Sequence, residues 1–148
     1  MIHLVRHARA GQRGTTTGPD RERPLSANGL MQAAAIAEAL THPVARLLSS
    51  PYLRCVQTLA PLAERSAVPI EMPLWLSEGA GPDEAAAAVR ASPAGTVLCS
   101  HGDVLHAVVG LLAAEGAPLD PHMRFAKGAV LSLEVVDGRI VAANYTEH

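Results

Sequence analysis

Short apolar runs closed by polar or glycine-containing turns alternate along this chain with longer stretches rich in alanine and leucine. Residues 2–5 read as a strand, with His3 inside it, that ends at Arg6 and His7. A loop rich in Gly, Thr and Arg runs on to Pro24. Ser26 is placed to cap a helix, residues 31–40 carry strong helical propensity, and Thr41, His42 and Pro43 stop it. Residues 45–48 give a second strand, ended by Ser49, Ser50 and Pro51. The following helix, 53–65, contains Pro61, which is expected to break or kink it. Residues 68–72 form a weaker third strand, and Pro82 and Asp83 open a helix over 85–90 that Pro93 and Gly95 close. A fourth strand, 96–99, ends at Ser100, His101 and Gly102, and Asp103 stands where it can cap the helix over 104–114. Finally, 129–135 and 139–144 flank Asp137-Gly138, a strong hairpin signal.

Strand and helix thus alternate four times before a terminal hairpin. The pattern predicts a single α/β domain over residues 1–148, a three-layer α/β/α sandwich with a mainly parallel central sheet and a C-terminal β-hairpin. Composition agrees with helices packed through small side chains: alanines number 27, hydrophobic residues make up 49% and aromatics only 3%. So few aromatics leave no platform for stacking bases, and a net charge of −2 argues against a nucleic acid polymer or an anionic membrane as partner. No apolar run reaches the roughly 18–20 residues that span a bilayer. Arg6, His7, Arg9 and Arg13 interrupt any leader-like segment, so a cytoplasmic location is expected. Cys55 and Cys99 are too few for a disulfide framework and read as reduced, buried thiols.

In such sheets ligands sit beyond the carboxyl ends of the strands. Arg6 and His7 follow the first strand, Arg54 opens the helix after the second, and His101 follows the fourth, so the topology brings them to one edge. Two guanidinium groups facing one point suit a tetrahedral oxyanion, and amides at the start of the helix after Pro51 could add donors. A histidine there can act as a general base or accept a phosphoryl group. Arg6, Arg9, Arg13, Arg21 and Arg23 all fall in the first 23 residues, which points to an anionic substrate. His106 lies five positions beyond His101, whereas a helical pair of metal ligands prefers four, and no motif-spaced third ligand follows. The expectation is therefore no metal and no cofactor.

Leu4-Val5-Arg6-His7-Ala8 resembles the Arg-His-Gly signature of the histidine phosphatase superfamily, also called phosphoglycerate-mutase-like. Ser49-Ser50-Pro51-Tyr52-Leu53-Arg54 with Gln57-Thr58 resembles its second signature, and Ser100-His101-Gly102 its third. The resemblance implies a metal-independent phosphatase in which His7 becomes a covalent phosphohistidine while Arg6, Arg54 and His101 hold the phosphoryl oxygens. It also implies an acid that protonates the leaving group: Glu78 matches that position, with Asp103 and Asp83 as competitors. Arg23-Pro24-Leu25 with Gly29 is similar to a segment of SixA-type phosphohistidine phosphatases. The same segment, with Lys127-Gly128, is similar to the phosphatase half of certain two-domain Nudix hydrolases, which makes Arg23 and Lys127 candidate substrate contacts. Because the first signature begins almost at residue 1, no Nudix domain is expected within the chain. Ala8 stands where the signature has glycine, and an asparagine usual a few residues later is missing.

The implied substrate is phosphohistidine on a protein, with a small phosphorylated metabolite or nucleotide as the alternative. A mutase would need a lid to keep water from the phosphoenzyme. The 43 positions from Leu53 to Thr96 are already filled by predicted elements, which favours hydrolysis. The non-enzymatic alternative is a phosphate-binding regulatory module, which would not require His7.

Overall fold

The computed structural model describes residues 1–14 and 17–148. Strands β1 (Ile2–Arg6), β2 (Arg46–Ser49), β3 (Ile70–Glu71), β4 (Thr96–Ser100), β5 (Val130–Val136) and β6 (Arg139–Thr146) form one sheet in the order β3-β2-β4-β1-β5-β6. The first four run parallel, and β5 and β6 add antiparallel. Helices α1 (Ala27–Ala39), α2 (Leu53–Ser66), α3 (Asp83–Ala91) and α4 (Gly102–Ala114) connect them.

Successive residues of a strand point to opposite faces, so the continuous apolar runs feed two cores. Leu4, Leu48, Leu98 and Leu131 pack with Val89 of α3 and Val104 and Val108 of α4. Val5, Leu47, Val97 and Val130 pack with Ile36 of α1 and with Cys55, Leu59 and Leu62 of α2. The three-layer arrangement expected from the sequence is the one observed.

Local chemistry explains most element boundaries. Ser26 caps α1 by accepting from the Gly29 amide at 3.1 Å. Gly29 has no substitute, because a Cβ there would lie 1.9 Å from the Arg9 carbonyl oxygen. Asp137 and Gly138, at φ 52° and 74°, make the left-handed pair of a tight hairpin turn.

Three expectations are corrected. Pro61 does not break α2, which continues to Ser66; the helix loses one amide donor but keeps a buried stripe of Cys55, Thr58, Leu59 and Leu62. The third strand shrinks to Ile70–Glu71, since Pro69 and Pro73 flank it without N–H donors and only Leu47 and Leu48 offer partners. Asp103 is not the cap of α4: His101 holds that position, and Asp103 Oδ2 accepts from the Gly79 amide at 2.8 Å. The loop before Pro24 is described except at Thr15 and Thr16. Among the described residues no helix is long and apolar enough to cross a membrane.

Candidate active site

β1 and β4 are neighbours in the sheet, yet the chain leaves β1 toward α1 on one face and β4 toward α4 on the other. A crevice opens at their carboxyl ends, the place where such sheets bind ligands. Register pairs Arg6 with Ser100, and the His7 amide donates to the Ser100 carbonyl at 3.1 Å, which fixes His7 at the crevice. The site opens into a cleft of about 760 Å³.

His7 is 6% exposed, and its Nδ1 lies 2.8 Å from the Ala8 carbonyl oxygen. A carbonyl only accepts, so Nδ1 carries the proton and Nε2 keeps its lone pair. Burial pushes the His7 pKa down to about 3; the Ala8 bond opposes this, while His101, Arg54 and Arg6 add to it. At neutral pH the ring is uncharged, with a lone pair on Nε2. Ala8 takes the glycine position of the signature with φ outside the left-handed region, and its amide donates to Thr58 Oγ1 at 2.9 Å.

Arg54 is fully buried in α2. Its Nη1 donates to the Asp20 carbonyl at 3.0 Å and pairs with Asp20 Oδ2 at 3.2 Å, and its Nη2 reaches Glu78 Oε2 at 3.3 Å. Asp20 also binds Arg23 Nε at 3.0 Å and Arg13 at 2.9 Å, and Glu78 binds Arg13 at 2.5 Å. Two carboxylates thereby hold three guanidinium groups around one mouth. Arg6 donates through Nη1 to the Phe125 carbonyl at 2.6 Å and presses against Gly102, where a Cβ would come within 3.0 Å of its Cζ.

His101 Nε2 lies 2.8 Å from Ser50 Oγ and 3.6 Å from Cys55 Sγ. Burial opposes ionisation of Cys55, yet hydrogen bonds from Cys99 and His101 hold its thiol below the usual value, and burial raises Cys99. Three buried nitrogens, Arg6 Nε, Arg54 Nε and His101 Nδ1, have no hydrogen-bond partner among the described residues. Unpaired donors of this kind carry a desolvation cost unless a ligand takes them up.

His7, Arg6, His101, Glu78, Arg23 and Lys127 all line the cleft, and Arg54 joins them through Glu78 and Asp20. Burial, with Arg6, Arg23, Arg13 and Arg9 nearby, holds the Lys127 amine below its usual value. Asp103 lines the cleft too, whereas Asp83, at the start of α3, does not. Of the five early arginines, Arg9 and Arg21 are also absent from its lining. The helix that turns its amino end to the cleft is α4, through His101, Gly102 and Asp103; the start of α2 does not line it. His106 lines the wall with Nδ1 3.1 Å from the Met123 carbonyl. Sequence reasoning missed Asp20 and Arg124; only the three-residue step from Asp20 to Arg23 hinted at the first.

Residues 2–81 match the model of the histidine phosphatase superfamily (branch 1). The chain is 32% identical to an 8-oxo-(d)GTP phosphatase of Mycolicibacterium smegmatis, over 97% of its own length but 47% of that protein, so it spans about half of that relative. Its fold is similar to that of the protein histidine phosphatase SixA solved with tungstate, with TM-score 0.75 and 24% identity over 98% of this chain and 93% of that one. It is also similar to a mycobacterial glucosyl-3-phosphoglycerate phosphatase, with TM-score 0.67 and 16% identity over 97% and 95% of the two chains. The signatures at Arg6-His7, Arg54 and His101 and the sheet that gathers them thus have one common explanation: this chain belongs to the histidine phosphatase superfamily.

Proposed function

We propose that residues 1–148 act as a phosphatase that forms a covalent phosphohistidine on His7. In the first half-reaction His7 Nε2 donates its lone pair to phosphorus, the bond from phosphorus to the leaving-group oxygen breaks, and Glu78, after taking up a proton from solvent in place of its arginine partners, passes it to that oxygen. In the second, water attacks phosphorus, the N–P bond breaks, and orthophosphate departs with His7 restored. Arg6, Arg54 and His101 stabilise the charge on the transferring oxygens, so the step takes its positive charge from the protein and needs no divalent ion. Removing one such donor is expected to cost about 3–4 kcal/mol of transition-state stabilisation. Asp103 is the alternative acid.

The observation that supports this reading most is the His7 ring. Its Nδ1–H is committed to the Ala8 carbonyl, leaving Nε2 as a neutral nucleophile beside buried donors that lack partners. The test is phosphate release from p-nitrophenyl phosphate under excess chelator, in the protein and in its His7→Ala variant. Turnover that persists with chelator and disappears in the variant supports the mechanism. Loss on chelation, or survival without His7, overturns it.

The substrate is a phosphorylated molecule of one of two kinds. Resemblance to SixA-type enzymes supports phosphohistidine on a protein surface. The cationic wall of the cleft supports a small phosphorylated metabolite.

A further inference from the structure

The phosphoryl site accounts for only part of the cleft. The loop 119–129 carries Arg124 and Lys127 into its lining. Neither side chain has an acidic partner or a hydrogen bond among the described residues, unlike Arg13, Arg23 and Arg54, whose charges are matched by Asp20 and Glu78. The loop itself is anchored. Its Phe125 carbonyl accepts from Arg6, the Ala126 amide donates to Tyr145 Oη at 2.9 Å, the Lys127 carbonyl accepts from Gln32 at 3.0 Å, and the Gly128 amide donates to the Arg6 and His7 carbonyls. Two cations are thus held on a fixed backbone beside a site that already has enough charge for one phosphoryl group.

The geometry points to a second anion subsite formed by Arg124 and Lys127, which makes the substrate a small molecule whose leaving group carries a phosphate of its own. The inference rests on the phosphatase reading above and adds the substrate class. In the reaction, His7 Nε2 attacks the terminal phosphorus, the bridging P–O bond breaks, and the departing group leaves with its electron pair as a phosphate. Arg124 and Lys127 hold that group before cleavage and neutralise the charge it gains. A phosphohistidine side chain has no second phosphate with which to reach this wall.

Calorimetric titration of the full chain with orthophosphate and with methylenediphosphonate, whose two phosphorus atoms cannot be separated by hydrolysis, reads the subsite without turnover. The diphosphonate is expected to bind at least about tenfold more tightly, with most of that advantage lost in Arg124→Ala and in Lys127→Ala. Equal affinities in the unsubstituted protein, or an advantage that survives the double variant, overturn the proposal. A kinetic arm distinguishes the occupants: ADP and a phosphohistidine peptide are compared in the protein and in Arg124→Ala. A drop in the ratio of kcat/KM for ADP over the peptide supports the subsite, and an unchanged ratio with the peptide preferred overturns it in favour of a protein substrate. Failure of the phosphatase reading is seen separately, as turnover that survives His7→Ala.

Discussion

Ser50 Oγ lies 2.8 Å from Nε2 of His101, and the same hydroxyl accepts from the Tyr52 amide at 3.2 Å. The other ring nitrogen of His101, Nδ1, is buried and has no hydrogen-bond partner among the described residues. Ser50 therefore holds the His101 ring in its orientation, with Nδ1 on the side away from the Ser50 hydroxyl. Ser50→Ala is expected to lower kcat about tenfold with little change in KM, and Ser50→Thr to restore most of it, as steady-state kinetics on p-nitrophenyl phosphate would read. A fall in KM and kcat together without rescue by threonine would count against this role.

His7 and His3 are held neutral in the fold, with pKa values lowered to about 3 and about 4, burial being the largest cause in each. The unfolded chain binds their protons near the ordinary value of 6.5 while the folded chain does not. Stability is therefore expected to rise with pH between about 3 and 6.5 for His7 and between about 4 and 6.5 for His3, by up to about 1.4 kcal/mol per pH unit for each histidine, and to level off outside those windows. Urea midpoints measured at about pH 5 and about pH 7 check the sign. The His7 ring signal in an NMR titration should stay flat from about pH 5 to about pH 8, and a midpoint near 6.5 would contradict its assigned state.

Asp20 is expected to matter for rate more than for stability. Its carboxylate is partly exposed, so releasing its ion pairs should cost about 1 kcal/mol or less of folding free energy. It nevertheless positions Arg54 and Arg23, and Asp20→Ala should lower kcat/KM on p-nitrophenyl phosphate by about ten- to a hundredfold. An unchanged kcat/KM would leave Asp20 as surface decoration.

Two glycines separate folding from chemistry. Gly29→Ala drives a methyl into the backbone carbonyl of Arg9 at 1.9 Å and should destabilise the fold by about 3 kcal/mol, visible in thermal unfolding. Gly102→Ala meets the Arg6 guanidinium, a flexible group, at 3.0 Å. It should change Tm little and depress kcat at least about tenfold by displacing Arg6.

The architecture was legible because apolar runs and their terminators mark the strands, and because signature residues sit where those runs stop. Arg6, His7 and His101 are readable as a group for that reason. Asp20 was hidden because it sits in a short 3-10 turn, far in sequence from Arg54, with no periodicity to announce it. Arg124 was hidden similarly: its place depends on contacts of the loop with Arg6, Gln32 and Tyr145, none of which is local. Pro61 misled because helix propensity weighs one residue, whereas the buried face of α2 is secured along its whole length.

β5 runs opposite to β1, pairing Val130 with Val5, so the chain enters β5 at the edge where Arg6, His7 and His101 gather. The segment feeding that strand is tied to β1 through the Gly128 amide, which meets the Arg6 and His7 carbonyls, and through the Phe125 carbonyl, which meets Arg6. Its backbone and Phe125 are therefore part of the scaffold that holds His7, whereas the side chains of Arg124 and Lys127 make no such tie and are the positions to randomise in any effort to redirect the cleft.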